Sequence, residues 1–251
     1  MAEVFRAVDL GGGRDVAVKI AVSDSPKHRQ RITHEAHVLA GLDHPSVITF
    51  VAAGTIASQG RLAGRPYLVE ELAFGPSLAE AVRGTLPASH EVAGWAAGLF
   101  GALNHLHSRG VVHRDIKPAN LMLSGLRRSP VRIVDFGIAA APGDAPEPGM
   151  SSGTVHYMSP EQASGGAAQP SWDVYALGLV LLELLTGTRP YTGTAVESLV
   201  ARTLRSPAVP AALGPGWSAL LRAVTAMDSA ARPSAGEASA MARKLAGFPV
   251  R

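Results

Sequence analysis

The residue types able to do chemistry are concentrated in one octet, His113-Arg114-Asp115-Ile116-Lys117-Pro118-Ala119-Asn120. Fifteen residues after Asn120 comes a second cluster, Asp135-Phe136-Gly137, led in by the strand-like run 131–134. Carboxylate and amide oxygens are the hard donors that Mg²⁺ accepts. A lone Asp-Phe-Gly would pass for ordinary loop and capping groups. Five fixed positions in one octet, followed at a set spacing by that triplet, do not fit so bland an origin.

In this order the motifs resemble the catalytic loop and metal-binding segment of the protein kinase family. The resemblance implies phosphoryl transfer from ATP, a reaction that needs phosphate charge neutralised and a hydroxyl nucleophile oriented. It implies that Asp115 accepts the hydroxyl proton and that Lys117 contacts the transferred phosphate. Asn120 and Asp135 would hold Mg²⁺ or Mn²⁺. A lysine at position 117 argues for Ser/Thr hydroxyls over Tyr. Upstream, Val16-Ala17-Val18-Lys19 matches the family's third-strand motif, so Lys19 would hold the α- and β-phosphates and Glu35 would pair with it. Val4, Ala17, Met122 and Val134 fall at adenine-slot positions, with Glu71 and Ala73 also implied in nucleotide binding. Downstream, Thr154 matches a threonine bridging the catalytic Asp and Lys, and Ser159-Pro160-Glu161 stands where Ala-Pro-Glu is usual. Asp173 matches the residue that braces the catalytic-loop backbone, and Arg232 the partner of Glu161, a structural buried pair. The likeness runs from residue 1 to about residue 246.

Three features depart from the family. The chain opens on Met-Ala-Glu-Val-Phe, which in bacterial members follows the loop glycines, so the first strand and the Gly-rich phosphate roof are not in it. A start assigned too late, a truncated product of little activity, or a partner-binding pseudokinase would each account for this. The strand left outermost would form an exposed sheet edge, and a version extended upstream is expected to bind Mg-ATP better. Glu70 falls at a back-of-pocket position that is usually apolar or Thr. A carboxylate there needs pairing or solvation; Lys19 could supply it, or the register is one residue out. Residues 138–158 hold no Lys or Arg, although Arg114 could grip a phosphorylated Ser151 or Ser152.

The elements that must position these groups are legible. Strand-like alternation over 3–10 and 14–22 flanks Gly11-Gly12-Gly13, a hairpin turn. Helical spacing over 26–41 sits between Pro26 and Gly41. Strands are expected at 47–53 and 67–71, then a connector at Phe74-Gly75-Pro76. Helices are expected at 77–83, 89–108, 172–186, 195–204, 216–226 and 234–246, with short strands at 121–123 and 131–134. Residues 139–149, rich in Pro, Gly and Ala, read as a mobile loop. The fold class is α+β: one two-lobed kinase domain over 1–251, with a β-rich N-lobe (1–72) lacking its first strand, a hinge (73–76) and a mainly helical C-lobe (77–251).

Composition sets the outer bounds. At 47% hydrophobic residues, 251 positions can build a substantial core. The net charge of +3 is too weak, and Arg127-Arg128 too short a run, to point to nucleic acid. The absence of cysteine excludes disulfides and thiolate catalysis and fits a cytoplasmic setting. His105 and His107, two apart, share no helix face and do not suggest zinc. The apolar run 174–185 is broken by Glu183 and too short to span a bilayer, so it reads as a buried helix. The implied partners are ATP and protein substrates, with self-association for autophosphorylation a further implication. The reading is a serine/threonine kinase; the alternative is a catalytically weak binding module.

Overall fold

The computed structural model describes residues 2–23, 25–124, 129–145 and 154–247, with Thr154 described by its backbone only. Alternation and β-branching produce the first hairpin, β1 (Ala2–Asp9) and β2 (Arg14–Ala21). Gly13 adopts φ +64°, and its N–H donates to Asp9 O at 2.7 Å, closing the turn that the three glycines predict. Helix α1 (Pro26–Ala40) begins on its proline and buries Ile32, Glu35, Ala36 and Leu39, one face at helical spacing. Strands β3 (Phe50–Thr55) and β4 (Pro66–Glu71) complete a four-stranded sheet of order β1-β2-β4-β3. β1 is therefore an edge strand, as expected, with Val4, Phe5 and Val8 exposed along it.

The strand expected at 47–53 starts later, at Phe50. Val47 and Ile48 are buried, which mimics a strand pattern, but their segment pairs with β6 (Val131–Ile133) of the other lobe: Ile48 N–H donates to Ile133 O at 3.0 Å.

The C-terminal part is helical. A one-turn α2 (Leu78–Ala81) is held by a Ser77–Glu80 capping box. Helix α3 (Ser89–Ser108) lies in the core, and β5 (Leu121–Leu123) pairs with β6. Next come α4 (Pro160–Ala163), α5 (Ser171–Thr186), α6 (Ala195–Leu204), α7 (Gly214–Val224) and α8 (Ala235–Leu245). The sequence reading passed over α4, although Ser159 as N-cap with Pro160 behind it is a start signal. Among the described residues no helix is long and apolar enough to cross a membrane.

Part of the segment read as mobile, residues 139–145, is tied down instead. Ala140 bridges Val112, and Gly143 N–H donates to Ala168 O at 2.7 Å. Low periodicity there goes with backbone pairing to distant segments, not looseness; residues 146–149 lie outside the described set.

One apolar cluster joins both lobes, from Ala21 and Leu39 through Leu103 and Val180 to Ala242. One close approach within it is where α5 meets α7. A Cβ on Gly178 would stand 2.6 Å from Val224 Cγ2 and 2.7 Å from Thr225 Cγ2, both on stiff β-branched side chains. Gly178→Val is therefore expected to overpack this contact at a cost of about 1–3 kcal/mol. Thermal unfolding should show it, at roughly 2–4 °C of Tm per kcal/mol for a chain this long.

Candidate active site

The cleft between the lobes, about 440 Å³, brings together the predicted nucleotide-side residues. Val4 and Ala17 come from the sheet, Met122 from β5, and Val134 directly follows β6; Ala73, Glu71 and Asn120 border it. Volume does not single it out, since a hollow of about 530 Å³ lies beside α3, α5 and α8. Charge does. Lys19, Glu35, Glu70 and Asp135 all face the cleft.

Lys19 Nζ donates to Glu35 Oε1 at 2.6 Å and to Glu70 Oε1 at 3.4 Å, and all three side chains are nearly enclosed. Burial works against the ammonium charge, but Glu70, Glu35 and Asp135 outweigh it and raise the Lys19 pKa. Burial pushes the Glu70 carboxyl up to about 7, with Glu35 and Asp135 adding to the rise and Lys19 opposing it. The strand register is as counted: Glu70 points into the back of the cleft, and Lys19 is the compensating neighbour. Glu71, next along β4, has its carboxylate committed to Arg132 of β6. The carboxylate makes a contact between the end of β4 and the other lobe, while Glu71 itself still borders the cleft. Glu35 Oε1 also accepts from Phe136 N–H at 2.9 Å, tying α1 to the Asp135 segment.

On the opposite side, Asp115 Oδ2 accepts from Lys117 Nζ at 2.7 Å and from Asn120 Nδ2 at 3.0 Å. Asn120 Nδ2 also donates to Asp115 O at 2.9 Å. The amide nitrogen is thus committed to Asp115, and the amide oxygen is the atom available as a cation donor. Asp135 adds a carboxylate, so the donor set is all oxygen and suits Mg²⁺.

The backbone here is strained. Among the described residues, Arg114 (φ 66°) and Asp135 (φ 65°) are the non-glycine residues with positive φ, a conformation that costs about 1–3 kcal/mol each and needs surroundings that enforce it. At Arg114 the enforcing group is Asp173 of α5, whose carboxylate accepts from His113 N–H at 2.8 Å and Arg114 N–H at 2.9 Å. His107 Nε2 meets the same carboxylate at 2.9 Å. Burial alone would raise the Asp173 pKa, but the bonds from His107 and His113 win and lower it. His113 sits edge-on to Phe136, with ring centroids 4.8 Å apart.

Further braces reach the same loop. Gln162 Nε2 donates to Arg114 O at 3.1 Å. Arg232 grips Glu161 with two bonds, at 2.6 and 3.1 Å, and stacks over Tyr175. Arg202, fully buried on α6, donates to Met158 O at 2.7 Å and holds the chain ahead of Pro160. Sequence reasoning missed Gln162 and Arg202; only a count of buried polar groups would have found them. His105 accepts from Asp43 N–H at 3.1 Å, a structural use. The side chain of Thr154, and Ser151, Ser152 and Arg127-Arg128, lie outside the described residues.

Comparison with known proteins agrees with this geometry. The family model for the protein kinase domain matches residues 1–242. Serine/threonine-protein kinase PknB of Mycobacterium tuberculosis is 38% identical over 243 residues, covering 93% of this chain and 38% of that protein. PknB of Mycobacterium leprae is 37% identical over 219 residues, 84% of this chain and 34% of that protein. PknB of Mycolicibacterium smegmatis matches to the same extent, 37% over 219 residues. The chain belongs to the protein kinase domain family. It spans about a third of the length of these curated relatives.

The raised Glu70 carboxyl has a stability consequence. It binds its proton more tightly folded than unfolded, so folding loses stability as pH rises from 4.5 through about 7. That rise is worth up to about 3 kcal/mol. Glu70→Gln should match the unaltered protein in Tm near pH 5 and exceed it by several degrees at pH 8, measured by calorimetry across that range. A gap that does not widen with pH would contradict the assignment.

Proposed function

We propose that this chain transfers the γ-phosphoryl group of ATP to serine or threonine hydroxyls of proteins. The observation that carries the reading is the Asp115 carboxylate held by Lys117 and by Asn120, which lines the same cleft as the buried Lys19–Glu35 pair. In the proposed step, the substrate hydroxyl oxygen forms a bond to the γ-phosphorus while the bond to the β,γ-bridging oxygen breaks. The hydroxyl proton passes to Asp115. Lys117, already at that carboxylate, is placed to meet the charge on the moving phosphoryl group. Lys19, kept charged and aimed by Glu35, grips the α- and β-phosphates. Val4, Ala17, Met122 and Val134 offer the base an apolar slot, with Ala73 at its edge. Asn120 and Asp135 would hold Mg²⁺ or Mn²⁺, which neutralises phosphate charge when bound. The names of the relatives support the serine/threonine class.

The test is transfer of radiolabelled phosphate from ATP to a generic basic protein. Asp115→Ala should cut the rate by about 10²–10⁴-fold, with an unchanged Mg-ATP thermal shift. Full transfer by that variant would reject Asp115 as the base. A thermal shift by the unaltered chain without any transfer would favour a nucleotide-binding module over an enzyme. A companion variant, Lys19→Met, should abolish the Mg-ATP shift itself, because it removes the cation that meets the phosphates.

A further inference from the structure

We infer that Glu70 sets the nucleotide affinity of this cleft by withholding one Lys19 donor from the phosphates. An ammonium has three N–H donors. One goes to Glu35 Oε1 at 2.6 Å and one to Glu70 Oε1 at 3.4 Å, which leaves a single donor for a ligand. Glu35 needs no help in aiming Lys19: its bond is the shorter, and its oxygen is itself fixed by Phe136 N–H at 2.9 Å. Glu70 is therefore surplus as a positioning group.

Its charge also opposes the ligand. Three carboxylates surround the ammonium: Glu35 from α1, Glu70 from β4 and Asp135 after β6. Asp135 has a use as a cation donor and Glu35 as the aiming partner. When ionised, Glu70 contributes a third negative charge, 3% exposed, where water and salt screen poorly. A phosphate chain drawn to Lys19 must displace or tolerate it. The base and sugar carry no such charge, so the penalty falls on the phosphates alone.

This rests on the reading of the cleft as an ATP site, and the experiment separates the two. Mg-ATP and adenosine are titrated by calorimetry at pH 8, where Glu70 is ionised, into the unaltered chain, Glu70→Gln and Glu70→Leu, with thermal unfolding to confirm that each variant is folded. The two variants, one isosteric and one apolar, should bind Mg-ATP about tenfold more tightly, equivalent to ~1.4 kcal/mol. Adenosine affinity should stay unchanged. Equal Mg-ATP affinity in all three proteins would overturn the role of Glu70 and leave the ATP reading intact. Weaker Mg-ATP binding in the variants would make Glu70 a constructive support of Lys19 and overturn it as well. Tightening of adenosine to the same degree would mark a change in the base slot and overturn the donor-withholding account. Binding of neither ligand by any of the three would overturn the ATP reading and this inference with it.

Discussion

A single carboxylate oxygen, Glu35 Oε1, is shared by the Lys19 ammonium of β2 and the Phe136 backbone N–H beside Asp135. Three elements that are far apart in the chain converge on it. A charge this enclosed is costly unless paired and hydrogen-bonded, and both donors serve this one oxygen. Movement of α1 away from the sheet would break the shorter Lys19 bond and release Phe136 together. The cleft, the aim of the lysine and the placement of the Asp135 segment are thus one coupled arrangement.

The catalytic-loop side has its own enforcing charge. Arg114 adopts a left-handed backbone that a side-chain-bearing residue avoids, and it does so against the Asp173 carboxylate at the start of α5. Helix α5 is buried almost throughout. The core therefore fixes Asp173, Asp173 fixes the loop, and the loop aims Asp115. Arg232–Glu161 and Arg202–Met158 extend this logic to the segment running into α4. Breaking one side of such a buried pair leaves an uncompensated charge, which costs far more than the pair itself contributes.

Glu70 is the local conflict in this scheme. A buried carboxylate beside two others is unfavourable for folding and for an anionic ligand alike. Departures from local consistency of this kind concentrate at functional positions. The residue lines the cleft beside Lys19 and is almost fully buried.

The sequence by itself determined much of this. Hydrophobic period and Pro/Gly punctuation placed α1, α3, α5 and the β1–β2 hairpin to within a residue or two, because these signals are local. Motif order brought Asp115, Lys117, Asn120, Asp135, Lys19 and Glu35 to notice without any coordinates. Only the tertiary structure decided the rest. Val47 and Ile48 look like strand in sequence yet serve β6, because which strand a buried segment pairs with depends on distant residues. Neighbouring Glu70 and Glu71 are chemically identical, and alternation along β4 sends one to Lys19 and the other to Arg132. Gln162 and Arg202 carry no motif; their partners are backbone carbonyls 48 and 44 positions away. A carbonyl looks the same at every position of a sequence, so such contacts become visible only once the chain is folded.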